Sequence, residues 1–125
     1  MRTTLAVMGL LASVACAQDY PDVQVSDFTE KTFKQLVDHT NYQDDRTFDM
    51  RYWINDQYFD EEEGPVFLYI CGEYRCSVPE TRLFPFMVGG KQSARLLVLE
   101  HRYYGDSQPF DEWTTENLSY LNSEQ

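Results

Sequence analysis

Gly64-Pro65-Val66-Phe67-Leu68-Tyr69-Ile70-Cys71-Gly72 holds an unbroken apolar run at residues 66–70, bounded by turn formers. A short run of this kind, with no polar residue alternating through it, is the pattern of a strand covered on both faces. Leu96-Leu97-Val98-Leu99 repeats the pattern. Roughly two dozen residues separate the two runs, enough for a crossover that carries a helix. Residues 84–94 are the candidate helix, weakened by Pro85 and by Gly89-Gly90. Two such strands joined by a crossover predict a parallel pair in an α/β sheet.

Upstream, the period changes. Thr47-Phe48-Asp49-Met50-Arg51-Tyr52 alternates polar and apolar residues and continues into Trp53-Ile54. That is a strand with one face in the core. Before it, Phe33, Gln35, Val37 and His39 fall on one face of an extended segment, with Lys34, Leu36 and Asp38 on the other. The polar linker at 41–46 would join the two strands as a hairpin. Asn55-Asp56 marks a turn, and Glu61-Glu62-Glu63 reads as a solvated loop because adjacent like charges repel. Residues 114–125 read as the start of a helix, with Leu118 and Leu121 turned inward beside Tyr104 and Tyr120.

The N-terminus reads as a leader. Met1-Arg2 is a short positive start, residues 3–14 are mostly apolar and uncharged, and Ala15-Cys16-Ala17 is a small-x-small cleavage pattern. The expected division is a signal peptide at 1–17 and a partial domain at 18–125. Gln18 begins the mature chain, followed by a flexible acidic stretch to Asp27. The apolar run is shorter than the roughly 20 residues that cross a bilayer. A buried helix fits the flanks worse. So does a lipoprotein signal acylated on Cys16, because Ser13 stands where such a signal carries Leu. Cys71 and Cys76 remain, and a secretory route would let them oxidise. They can pair with each other, pair with cysteines elsewhere, or stay free. Two cysteines with two distant histidines match no zinc spacing, so no metal is expected. The formal charge of −11 repels phosphate backbones and anionic lipid surfaces, which argues against a nucleic-acid partner and suits an acidic compartment.

Three segments occur in order: Thr47-Phe48-x-x-Arg51-Tyr52-Trp53-x-Asn55-Asp56-x-Tyr58, then Gly64-Pro65-Val66-Phe67-Leu68-Tyr69 with Gly72-Glu73, then Glu100-His101-Arg102-Tyr103-Tyr104-Gly105-x-Ser107-x-Pro109-Phe110. Asn117-Leu118-x-Tyr120-Leu121 with Glu124-Gln125 follows. Together they resemble the prolyl carboxypeptidase and dipeptidyl peptidase II family of serine peptidases, which includes lysosomal Pro-Xaa carboxypeptidase and the thymus-specific serine protease. The resemblance implies an α/β-hydrolase domain with a helical insertion. It also implies a secreted or lysosomal glycoprotein that needs no cofactor and takes peptide substrates cut beside proline. It places the nucleophile, a Ser in Gly-x-Ser-x-Gly, a few dozen residues beyond Gln125, with the Asp and His later still.

The residues agree with that placement. Ser13, Ser26, Ser77, Ser93, Ser107, Ser119 and Ser123 all lack the flanking glycines that a sharp nucleophile turn requires. His39 and His101 sit in strand-like segments with no nucleophile beside them, and His101 reads as a packed residue. Glu100 and Arg102 alternate with His101 and are expected to form buried or rim ion pairs. In α/β-hydrolases one oxyanion-hole N–H comes from the loop after the third strand. Here that loop is Cys71-Gly72-Glu73-Tyr74, so Gly72, Glu73 and Tyr74 are the candidates. The family usually has Gly after the Glu, where this chain has Tyr74 and then Arg75-Cys76. Asn117-Leu118-Ser119 is a glycosylation sequon. The leading expectation is therefore a piece of a proline-directed serine exopeptidase, inactive alone and poorly folded alone. The rival is a secreted non-catalytic binding module of the same descent.

Overall fold

The computed structural model describes residues 23–78 and 84–125. The leader at 1–17, Cys16 and the start at Gln18 lie outside the described residues. Among the described residues four strands form one mixed sheet: β1 (Thr29–Leu36), β2 (Thr47–Asn55), β3 (Val66–Ile70) and β4 (Arg95–Leu99). Their order across the sheet is β1-β2-β4-β3. β1 and β2 are the antiparallel hairpin, with Phe33 opposite Met50 and Lys34 opposite Asp49. Their register is reinforced by the Lys34–Asp49 ion pair at 2.8 Å. β2 also runs antiparallel to β4, and β3 runs parallel to β4.

β1 starts and ends earlier than the alternation suggested. Val37 is buried beyond its end, and His39 lies outside any strand. The Val37 N–H still donates to the Arg46 carbonyl in the register of the hairpin, and beyond it the Asp38 carboxylate accepts from the Thr40 and Asn41 N–H groups, which turns the chain out of the sheet.

The crossover helix is shorter than the predicted 84–94. Helix α1 covers Phe84–Gly89, and a 3-10 turn follows at Gly90–Gln92. Gly89 lets the helix sit directly on the sheet, since a Cβ there would lie 2.6 Å from Leu96 Cδ2. Ser93 then takes a left-handed φ of 51°, and the Ala94 N–H donates back to the Gly89 carbonyl at 2.9 Å. That reversal ends the helix.

The two faces of the sheet are treated differently. One carries Trp53, Leu96 and Val98, and Phe86 of α1 packs over it together with Val23 and Cys71. Residues 23–27 are therefore not the flexible stretch expected. Val23 is buried, and Val25–Asp27 is a 3-10 turn in which the Gln24 N–H donates to Asp27 Oδ2 at 2.8 Å. On the opposite face, Phe48, Met50 and Val37 are covered by Phe110 and Tyr120. The rest of that face is open among the described residues. Val66, Leu68 and Ile70 are 54%, 52% and 58% exposed, so β3 is covered on one side rather than two. An open groove of about 220 Å³ runs along it between Phe33, Tyr52, Leu68, Leu97 and Leu99.

The expected C-terminal helix is only a 3-10 turn, Asn117–Tyr120. Tyr120 is its inward contact, whereas Leu118 is exposed. Among the described residues no helix is long and apolar enough to cross a membrane.

Candidate functional site

Because β3 and β4 are parallel, the chain leaves both at the same end of the sheet. The loop at 71–76 and the loop at 100–107 therefore lie side by side. The carboxyl ends of parallel strands are where α/β folds present their ligand-binding groups.

Glu100 ties the two loops together. It is the first residue after β4, 0% exposed, and its carboxylate accepts from five groups. Arg51 Nη2 donates to Oε1 at 2.6 Å and Arg51 Nε to Oε2 at 3.2 Å. The Cys76 N–H donates to Oε1 at 3.1 Å. The Asp106 and Ser107 N–H groups each donate to Oε2 at 3.1 Å, and the Ser107 hydroxyl at 2.8 Å. Burial pushes the Glu100 carboxyl up, but the Arg51 and Ser107 hydrogen bonds outweigh it and hold the group below the usual carboxylate range. Arg51 is pinned in turn: its Nη1 lies 2.8 Å from Asp106 Oδ2, its guanidinium stacks on Trp53 at 4.7 Å, and Nη2 also reaches the Cys76 carbonyl.

The loop after Glu100 folds tightly to deliver those N–H groups. Tyr103 and Gly105 both take left-handed φ, 69° and 68°. Gly105 is obligatory there, because a Cβ would lie 1.9 Å from Glu100 Oε1. Tyr103 is buried, and its hydroxyl donates to the Asn117 carbonyl at 2.5 Å.

Arg102 does not form the ion pair expected of it. Its guanidinium donates to the carbonyls of Leu36, Val37 and Tyr120 and lies over the Phe48 ring. It works as a strut that fastens the end of β1 to the C-terminal turn. Burial lowers its pKa. His101 lies just past β4, half-buried, with Nδ1 against the Arg102 carbonyl and its ring edge-on to Tyr104. His39 Nε2 is buried without a partner among the described residues, while its backbone N–H donates to Gln125 Oε1.

The loop that contains Gly72, Glu73 and Tyr74 is held at its base. The Cys71 N–H donates to the Leu99 carbonyl at 2.9 Å, and Cys71 and Cys76 are joined by a disulfide. Both cysteines are buried, while Glu73, Tyr74 and Arg75 are exposed. The Tyr74 N–H returns to the Gly72 carbonyl, and the N–H groups of Gly72, Glu73 and Arg75 meet no acceptor among the described residues. Arg75 pairs with Asp106 at 2.8 Å. An open cleft of about 510 Å³ lies beside the loop, lined in part by Phe28, Trp53, Arg51, Arg75 and Ser77. Its two guanidiniums are already engaged by carboxylates, so it offers shape and donors rather than a free charge. Ser107 is fully buried, donating to Glu100 and accepting from the Arg51 N–H, which makes it a framework residue. Asn117 is half-buried and its side-chain amide donates to the Glu112 carbonyl at 2.9 Å. Among the described residues no cluster of three His, Cys, Asp or Glu side chains is arranged to hold a metal.

Residues 35–125 match the family described as Serine carboxypeptidase S28. The chain belongs to that family. Relatives similar to it include a protein of Arabidopsis thaliana named a probable serine protease, 43% identical over 77% of this chain and 19% of the relative. The thymus-specific serine protease of Homo sapiens is 36% identical over 72% of the chain and 18% of its own length. The lysosomal Pro-X carboxypeptidase of Pongo abelii is 30% identical over the whole chain and 26% of its own length. The chain thus spans about a fifth to a quarter of the length of these curated relatives. The segment that signalled the family, residues 100–105, supplies Glu100, Arg102 and Gly105, whose observed work is to shape the carboxyl end of the sheet. Arg51 and Ser107 complete that arrangement. Both stood in the matched segments, but their role was invisible there because a pairing across 49 positions leaves no local signal.

Proposed function

We propose that these residues form the N-terminal portion of an α/β-hydrolase serine exopeptidase that cleaves peptides beside proline. In this reading the chain supplies the first strands of the sheet and one oxyanion donor from residues 72–74. The nucleophile, in a Gly-x-Ser-x-Gly turn, and its Asp and His partners come from sequence beyond Gln125. The observation that carries the proposal is the match over residues 35–125, with its diagnostic segment at the carboxyl end of two parallel strands. An oxyanion hole needs N–H donors that keep no other partner, and those of Gly72 and Glu73 meet none among the described residues.

The experiment has two arms. The coding sequence past the Gln125 codon is read for an in-frame Gly-x-Ser-x-Gly, and the whole product is assayed on a proline-containing peptide and labelled with a fluorophosphonate. Turnover blocked by the probe is the expected result. The 125-residue chain, assayed in parallel, is expected to hydrolyse nothing, because a serine triad needs its three members within hydrogen-bond reach. Labelling of this chain on one of its own serines would overturn the assignment. The same reading sends the protein through the secretory route to the outside or the lysosome, cut before Gln18 and glycosylated on Asn117. N-terminal sequencing that finds Met1 retained would remove that part.

A further inference from the structure

The five groups that donate to Glu100 come from three stretches of chain: Arg51 on β2, Cys76 on the loop after β3, and Asp106 with Ser107 beyond β4. Only one of them belongs to the loop at 71–76, and that one is the loop's last residue. Arg51, held by the same carboxylate, grips the Cys76 carbonyl at 3.2 Å. Both polar atoms of the Cys76 backbone thus end on one buried ion pair. The disulfide and the Cys71–Leu99 hydrogen bond fix the other end of the loop. Between these anchors the exposed residues make few bonds of their own. Tyr74 touches Tyr69 through the hydroxyls at 3.2 Å, and Arg75 reaches Asp106, which is also bonded to Arg51.

We propose that Glu100 is a positioning residue for the reaction: with Arg51 it clamps Cys76, and so sets where the N–H groups of Gly72 and Glu73, which meet no acceptor among the described residues, point. This rests on the reading of that loop given under the proposed function. It explains why a carboxylate that touches no solvent sits one residue past a strand at the site end of the sheet. All the groups that meet Glu100 are donors, so an ionised carboxylate satisfies them all. A glutamine would turn its own amide N–H against one of them. Breaking one member of a buried pair leaves the other uncompensated. The Cys76 end of the loop would then lose its clamp and be held through the disulfide to Cys71.

The test uses the whole gene product and the Glu100→Gln and Ser107→Ala variants, with hydrogen–deuterium exchange and steady-state kinetics side by side. In Glu100→Gln, exchange at the bonded amides of Tyr74 and Cys76 is expected to rise about tenfold or more while the hairpin at 29–55 keeps its protection. kcat is expected to fall by roughly 10- to 100-fold with KM within about twofold, a misaimed oxyanion donor costing less than the roughly 100- to 1000-fold of one removed outright. Ser107→Ala removes one donor to Glu100 and the acceptor of the Arg51 N–H, so it is expected to give a smaller rise at Cys76 with the hairpin protected everywhere but at Arg51; it carries the test if Glu100→Gln does not fold. Exchange that rises equally in the hairpin, or does not rise at Cys76, would overturn the clamp. So would a loosened loop with an unchanged kcat. A wild-type protein without turnover would instead sink the exopeptidase reading, and exchange alone would then decide whether Glu100 holds the loop.

Discussion

Replacing Gly105 with alanine should be among the most damaging single changes in this chain, although it adds one methyl group. Two effects add. The residue sits at φ 68°, where a side chain costs about 1–2 kcal/mol. The new Cβ would also occupy the place of Glu100 Oε1, 1.9 Å away, with Glu100 Cδ at 2.6 Å. The carboxylate has no room to retreat without leaving Arg51, Cys76 and Ser107, and breaking a buried pair costs about 3–5 kcal/mol. Together these reach about 4–7 kcal/mol, against a total stability of about 5–15 kcal/mol for a typical domain. Gly72→Ala is the control, because its Cβ would meet only the Tyr74 ring, at 3.1 Å, and should cost about 1 kcal/mol or less. Urea titration read by pulse proteolysis compares the two in dilute solution. A Gly105→Ala loss of no more than about 2 kcal/mol would mean that the carboxylate moves aside with its partners intact. The clamp around Glu100 would then not be rigid.

Three further outcomes follow from the geometry. Asp38 accepts from the Thr40 hydroxyl, Gln125 and the Thr40 N–H, in that order of effect, which lowers its pKa from 3.8 to about 2. Its contribution is therefore complete above pH 4 and is lost as the pH falls through about 2; the stability gap between wild type and Asp38→Asn should shrink across that window, and a gap that widens on acidification would contradict the assignment. Opening the Cys71–Cys76 link in a Cys71→Ser/Cys76→Ser double variant releases a loop of sequence separation 5, worth about 2 kcal/mol by chain entropy; a denaturation midpoint unmoved by the change would refute it. Residues 18–125 expressed alone should self-associate through the open apolar face and the free β3 edge, and Leu68→Lys with Ile70→Lys should raise the monomer fraction in sedimentation; a wild-type monomer with a sharp reversible melt would count against this.

The apolar runs at 66–70 and 96–99 and the alternation from Thr47 were enough to place β2, β3 and β4, because strand periodicity and its bounding turns are local properties of the chain. Membership of the family was likewise legible in residues 100–105, a segment whose identity needs no partner to be recognised. The ends of elements were not. β1 gives way to a turn because Asp38 takes the Thr40 and Asn41 N–H groups, and α1 stops at Gly89 because Ser93 reverses the chain, outcomes that depend on which neighbour takes each N–H. Nor could sequence decide what the recognised residues do. Arg102 looked like an ion-pair partner and binds carbonyls 65 and 66 positions away, while Glu100 found its cation 49 positions upstream. The burial of Val23 and the closing of Cys71 on Cys76 were settled in the same way. A buried charge takes whichever partner the fold brings within reach, and only packing of the sheet against its loops determines which one that is.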